Sequence, residues 1–527
     1  MVPAGSIDGV DTFPDAARRV DRWCPQGRSM VSTPSSMPPA GSIDGARRVD
    51  RWCRHLPRCR PQGRSMPPAP SSMPPAGNFT LLCRSVLGIM APMGTLPPGP
   101  RSSLPSLVRY LRDPIGCMQP LTKAYGATVT FPGKPALVMT GDPAGIKAIY
   151  TADPDTFAPL NQDLGVFIGP RSLILAGGAE HKRARKLMMP PFHGARMRAY
   201  GEQMVRLAAQ RAEAFQVGQT LTMTELLQEL SLDVILQVVF GVTERAAMKT
   251  LGALLLEITN GISPLLALVP ALRHEFGGVG PYARFLARRR RLHAALDDLI
   301  QKGRAARPRE DVLSLLLAAR AEDGSPMDDE EIRDQLLLLV VAGHETTAIA
   351  MAWALYALHR PENAAALGRL RDELATLGPE PAPEELAKLS YLEAVCNETL
   401  RRYPLAPAPA PRKLLRPFEL LGYDLPAGVG VVPAISVAHF REDVYPDPMR
   451  FSPERFLDRT YSPFEFLPYG GGARRCLGAA MASHEMKLVL GTLLRRHHFR
   501  LASPKPDPGA VRAANAGPRY GVKMIVG

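Results

Sequence analysis

The chain has 527 residues, 46% of them hydrophobic and 22% charged, with a formal net charge of +14. Its basic residues are scattered and only 6% of residues are aromatic, which argues against a nucleic-acid binder and for a basic docking face or plain solubility. Its seven cysteines (Cys24, Cys53, Cys59, Cys83, Cys117, Cys396 and Cys476) are odd in number and dispersed, which excludes a disulfide framework and places the chain in a reducing, cytoplasmic setting.

Residues 1–92 are of low complexity and internally repeated. Ala17–Cys24 returns as Ala46–Cys53, Pro25–Met30 as Pro61–Met66, and Pro34–Gly41 as Pro70–Gly77. Proline, glycine, serine and arginine dominate over apolar periodicity, so a disordered extension is expected rather than a solenoid. A start near Met90 or Met93, with the repeats as translated upstream DNA, fits equally. Leu81–Met93 is apolar, but it is shorter than the roughly 20 residues a spanning helix needs and it carries Arg84 and Pro92. No membrane anchor is therefore expected, and residues 93–527 are read as one globular domain.

Ala127–Thr140 alternates around Pro132-Gly133-Lys134 and predicts a β-hairpin. Asp142–Tyr150 predicts a short helix. Asn161–Gly178 is glycine-rich and apolar, a loop suited to covering a pocket. A basic helix then opens at His181-Lys182-Arg183-Ala184-Arg185-Lys186. His181 and Arg185, four apart, share a face, while Lys182, Arg183 and Lys186 are expected in solvent or at a partner. Amphipathic helices follow from about 195 to 320, with Arg288–Arg291 as a solvated face.

The longest apolar pattern runs from Asp328 to about Leu358. Asp328 and Glu331 form a capping-box signature at its start. Gly343-His344-Glu345-Thr346-Thr347 interrupts it with a carboxylate and two hydroxyls, which a lipid-facing span would not tolerate. A threonine there can bond back to a carbonyl one turn earlier and notch the helix. His344 and Thr347 read as structural. Ser390 and Glu393 give a second capping-box signature, opening a helix that ends before Pro404 and puts Glu398 and Arg401 on one face. An extended proline-rich run, Leu405–Pro411, leads to Arg412. His439 is left without an assigned role.

Phe466–Gly478 is a glycine-rich loop ending in Cys476 at the entrance to an apolar helix. Three consecutive glycines, Gly470 to Gly472, permit backbone angles closed to other residues and let a flat ligand approach. Helix-end N–H groups, with Arg474 and Arg475, favour a thiolate. A lone thiolate without zinc-spaced partners is a poor zinc site and a good single axial ligand for haem iron.

The run Tyr469–Gly478 resembles the haem-binding loop of the cytochrome P-450 monooxygenases, with tyrosine where that family usually has phenylalanine. Ala342–Thr347 resembles the family's oxygen-binding stretch, and Glu398, Arg401 and Pro453-Glu454-Arg455-Phe456 resemble its scaffold motifs. The resemblance covers about 93–527 and is to the bacterial soluble type. It implies a mainly α fold with a smaller β-rich part, holding haem b (iron protoporphyrin IX) between the long central helix and the cysteine loop. Covalent attachment is not expected, since no Cys-x-x-Cys-His occurs.

By that resemblance Cys476 is the axial ligand and His181, Arg185, Arg412 and Arg474 hold the propionates. Ala342, Gly343 and Gly470 give the ring and O2 room. Thr346 and Glu345 handle oxygen and protons as the catalytic pair, and Glu398, Arg401 and Arg455 form a structural network. The implied reaction is hydroxylation or epoxidation of a hydrophobic small molecule, fatty-acid-like or terpenoid- or polyketide-like, using O2. The two electrons come from a separate ferredoxin or flavodoxin-type donor with its reductase, because the 51 residues after Cys476 leave no room for a fused one. A haem-thiolate peroxygenase or isomerase, or a haem sensor, is the alternative.

Overall fold

A computed structural model describes residues 96–527 apart from 161, 195, 260–265, 267–271, 308 and 513–514; the repeated segment 1–92 lies outside the described residues. Helices dominate, and β-structure is confined to small sheets. The largest sheet contains β1 (Thr128–Phe131), β2 (Leu137–Thr140), β3 (Phe157–Pro159), β4 (Arg412–Leu414) and β5 (Gly430–Pro433), in the order β1-β2-β5-β4-β3. The expected hairpin is β1–β2, with Thr128 opposite Thr140. β2 and β5 run parallel, Leu137 opposite Gly430, and the remaining pairs are antiparallel. Helix α1 (Pro143–Thr151) follows β2; the Asp142 carboxylate accepts from the N–H groups of Ala144 and Gly145 at its start.

The basic helix is α2 (Gly178–Met188), followed by α3 (Arg196–Glu213) and α4 (Met223–Val238). The central helix α5 (Asp329–Leu358) has 30 residues, about 45 Å at 1.5 Å each. It is long and apolar enough to cross a membrane by composition alone, yet every residue from Thr347 to Leu358 is buried inside the protein. It is packed on by α4, by α7 (Ser390–Arg402) and by α8 (Ala479–Arg496). Trp353 on α5 is fully buried and stacks on Tyr403 with centroids 4.4 Å apart.

Two helix starts differ from their sequence signatures. Asp328 caps α5, accepting from Glu331 N at 2.8 Å, but the Glu331 side chain does not close the box. That carboxylate is buried and takes the Arg183 guanidinium at 2.8 and 3.1 Å. A buried anion gains more from a two-point charged donor than from one backbone N–H. Arg183 is therefore a structural partner, not a solvated residue. At α7, Ser390 is already helical. The free N–H groups of Tyr391 and Leu392 are accepted by the Glu373 carboxylate at 2.7 and 2.9 Å, from α6 (Ala364–Ala375). A carboxylate from a neighbouring helix does the work expected of the local serine.

Candidate functional site

The cysteine loop owes its shape to α1. Gly470 and Gly472 both have φ of 63°, in the left-handed region that glycine enters without steric cost. A Cβ on Gly471 would lie 2.4 Å from the Tyr150 ring, and one on Gly472 would lie 2.6 Å from the Tyr150 carbonyl oxygen. Close approach of helix α1, rather than of a flat ligand, is what excludes side chains at these two positions. Gly470 borders the cavity described below. The loop folds back through Cys476 N donating to Tyr469 O at 2.9 Å.

A buried scaffold holds the loop from behind. Leu467 N donates to His439 Nε2 at 3.0 Å, and the His439 ring stacks on Phe466. His439 is fully buried, and burial pushes its pKa down to about 3, so it stays a neutral acceptor. Its carbonyl accepts from Arg401 at 3.0 Å. Arg401 also donates to Pro448 O and Arg450 O and pairs with Glu398; both side chains are fully buried. Glu398 in turn accepts from Ser452 N at 2.8 Å and has Arg455 Nε 3.5 Å away. The link from the ion pair through His439 to the loop was not readable in sequence, because nothing near His439 marks which backbone it meets.

Between this loop and α5 lies a cavity of about 420 Å³. Cys476 lines it, and so do Ala342, Gly343, Thr346 and Thr347 of α5. The surrounding wall is largely aliphatic, including Leu173, Ile235, Val239, Leu338, Leu405, Ala406 and Pro409. Burial pushes the Cys476 thiol up, against the opposing pull of Gly478 N–H, Arg475 and Arg185. The helix entrance and the arginines therefore do not by themselves make a thiolate here; bonding to a metal deprotonates a thiol outright.

His181, Arg185, Arg412 and Arg474 all border this cavity. His181 is buried, and its pKa is pushed down to about 4, chiefly by burial and then by Arg474, Arg185 and Arg412. Arg474 is pushed down to about 10 by burial and by the charges of Arg412 and Arg185. It donates to Ile174 O at 3.3 Å and Ala176 O at 2.5 Å. The Arg412 guanidinium lies over the Tyr150 and Phe157 rings at 5.6 and 5.8 Å. Among the described residues no carboxylate forms an ion pair with Arg185, Arg412 or Arg474. Three crowded, uncompensated guanidiniums at one rim demand an anionic guest. No cluster of three metal-ligating side chains occurs among the described residues. A single sulfur, an apolar slot and an unpaired cationic rim fit a haem with two carboxylates.

The helix opposite supplies the polar groups. Thr346 Oγ1 donates to Ala342 O at 2.7 Å, and Thr347 Oγ1 to Gly343 O at 3.0 Å. His344 is buried with Nδ1 2.9 Å from Val340 O. A Cβ on Gly343 would meet Ile235 Cδ1 at 2.9 Å, so this glycine also lets α4 pack on α5. Glu345 is not on the cavity wall. Burial pushes its pKa up, against the opposing pull of Arg512 and Asn515. Asn515 does border the cavity. So does Glu485 of α8, a fully buried carboxyl pushed up to about 8 beside Ser231. Sequence reasoning missed both; each lies outside the motif residues, with no local spacing pointing to the cavity.

The profile of the family described as cytochrome P450 matches residues 97–515. A Mycobacterium tuberculosis protein provisionally named cytochrome P450 135B1 is 36% identical over 446 residues, spanning 82% of this chain and 91% of its own. Another from the same organism, provisionally named cytochrome P450 137, is 35% identical over 79% of this chain and 86% of its own. Among solved structures, the cyanobacterial CYP120A1 with retinoic acid bound superposes with a TM-score of 0.71 at 25% identity, over 82% of this chain and 99% of that one.

Proposed function

The chain belongs to the cytochrome P450 family and is a haem-dependent monooxygenase, and on that premise we propose that it hydroxylates or epoxidises a lipid-like molecule of the fatty-acid, terpenoid or polyketide type. The observation that carries the reading is one cavity with Cys476 on one wall, Thr346 on another and three unpaired guanidiniums among its lining. Its aliphatic wall favours an apolar substrate, and a solved relative with retinoic acid bound points the same way.

Bound haem supplies the reduction of O2 and the insertion of one oxygen atom into a C–H or C=C bond, the other leaving as water. Cys476 would bind the haem iron through its thiolate. Arg185, Arg412 and Arg474, with neutral His181, would hold its propionates. Ala342, Gly343 and Gly470 leave room for the ring and O2. The Thr346 hydroxyl, its hydrogen given to Ala342 O, would offer an oxygen lone pair at the oxygen site, and Glu345 would relay protons toward it. A carboxyl raised by burial carries a proton nearer neutral pH than an exposed one does. Family members take electrons from redox partners. Here we assign a separate ferredoxin or flavodoxin-type carrier with its reductase, acting in the cytoplasm.

The test is the absorption spectrum of the reduced, CO-bound protein, then difference titration with dodecanoic acid and retinoic acid. A thiolate-type Soret band, lost in C476S, is expected, with a substrate-induced shift for at least one probe. The same band in C476S would overturn the ligand assignment. A band without turnover using any donor would favour the sensor.

A further inference from the structure

The helix Leu104–Arg112, ahead of β1, is built inside out. It has nine residues, and none of them is buried. Leu104, Leu107, Val108 and Leu111 recur at the spacing of one helical face, the stripe that a helix of a folded protein normally turns to the core. Here they are 66%, 44%, 40% and 48% exposed. The side toward the protein carries Ser106 and Tyr110, with the flanking Ser103 and Asp113, all half-buried. Tyr110 packs against the small cluster that contains Cys117, Met118 and Leu121. A single exposed leucine needs no explanation, but four aliphatic side chains on one outward face do.

Polar contacts at both ends fix this orientation. Ser103 Oγ donates to Pro132 O in the turn between β1 and β2. The Arg519 guanidinium donates to Arg112 O at 2.6 Å and to Gly509 O at 3.0 Å. Exposed cations accompany the stripe: Arg109 and Arg112 on the helix, Arg101 just before it, Arg519 at its end and Lys134 in the β1–β2 turn. Among the described residues none of these five forms an ion pair. The carboxylates nearest in the chain are committed to backbone N–H groups. Asp113 accepts from Gly116 N at 2.8 Å, and Asp507 accepts from the N–H groups of Gly509, Arg519 and Tyr520 at 2.8, 2.7 and 3.0 Å.

We propose that this face docks on an anionic lipid bilayer, the four aliphatic side chains entering the acyl boundary and the cations meeting the headgroups. An aliphatic stripe accompanied by uncompensated positive charge matches a surface that is apolar within and negative outside. A second copy of the chain fits less well, because it would set the same cations against one another. Nine residues are far too few to span a bilayer, and the long central helix stays inside the protein, so the attachment is peripheral. Four side chains and a few exposed charges make it reversible and weaker at high salt.

The test is flotation of the haem-loaded full chain with vesicles of equimolar phosphatidylglycerol and phosphatidylcholine, against phosphatidylcholine alone. Binding to the mixed vesicles is expected. Leu107→Ser/Leu111→Ser should weaken it about tenfold or more, and Arg109→Gln/Arg112→Gln by a similar factor at low salt. Val217→Ser, which replaces an 83% exposed residue outside this helix, should leave it at the wild-type level. All of these variants keep the wild-type CO-bound spectrum, since none of the residues borders the cavity. A chain of net charge +14 is drawn to anionic vesicles in any case, so insertion is read separately. The emission added by Leu107→Trp should be quenched by brominated acyl chains. Absence of binding, binding unchanged in Leu107→Ser/Leu111→Ser, or unquenched emission from Leu107→Trp would each overturn the proposal. A dimer in sedimentation velocity that Leu107→Ser/Leu111→Ser dissolves would overturn it too, and would give the face to a second copy.

Discussion

The Glu398 carboxylate and the Arg401 guanidinium meet at two points, 2.7 and 2.8 Å, with neither side chain exposed. Arg401 then reaches three backbone carbonyls, one of them that of His439, which carries the cysteine loop. Removing one partner strands the other charge in the interior. Glu398→Ala is expected to cost about 3–5 kcal/mol of stability, read by urea unfolding, with haem content falling in parallel. A loss below about 1 kcal/mol, the value of a surface pair, would mean that the network does not support the loop.

Gly471 and Gly472 exclude side chains for different reasons. At 471 the obstacle is the Tyr150 ring; at 472 it is the Tyr150 carbonyl, and φ is positive as well. Trimming Tyr150 to alanine should therefore recover much of the stability lost in Gly471→Ala and none of that lost in Gly472→Ala. A double-mutant cycle by thermal unfolding measures both couplings. Equal recovery at the two positions would contradict the geometry.

Arg412 has aromatic faces but no carboxylate partner among the described residues, and burial pushes its pKa down. Arg412→Gln should leave the haem-free protein as stable as wild type or more so. Haem loss to an acceptor globin should quicken by about tenfold, the worth of one charge-assisted bond. A destabilised haem-free protein with unchanged haem release would place Arg412 in the scaffold instead.

His439 is lowered to about 3 and His181 to about 4, in both cases mainly by burial. An unfolded histidine titrates near 6.5. Below that value the unfolded chain binds protons that the fold refuses, so stability rises with pH across the window and is lost as pH falls from about 6.5 toward 4. Glu485, raised to about 8, acts with the opposite sign between its unfolded value near 4.3 and 8. The His439 contribution is therefore read as a difference: His439→Gln should flatten the fall in urea-unfolding midpoint between pH 6.5 and 4 relative to wild type. Parallel curves would show that His439 is not held neutral by its surroundings.

Much of this protein was legible without coordinates because its chemistry is written in short, contiguous runs. Phe466–Gly478 carries the sulfur and the turn-forming glycines together. Ala342–Thr347 places polar groups in the middle of an apolar helix, where only a local purpose keeps them. Helix periodicity and the hairpin between Ala127 and Thr140 are likewise properties of neighbouring residues, so the mainly α architecture and the family could be named from sequence. What only the tertiary structure decided are pairings between distant residues. Glu373 caps α7 where Ser390 was expected, Arg183 takes the carboxylate of Glu331, and Tyr150 rather than a ligand excludes side chains from Gly471 and Gly472. Each is settled by burial: a charge or an N–H removed from water takes the best donor or acceptor the packed core brings within reach, and sequence distance does not enter that competition.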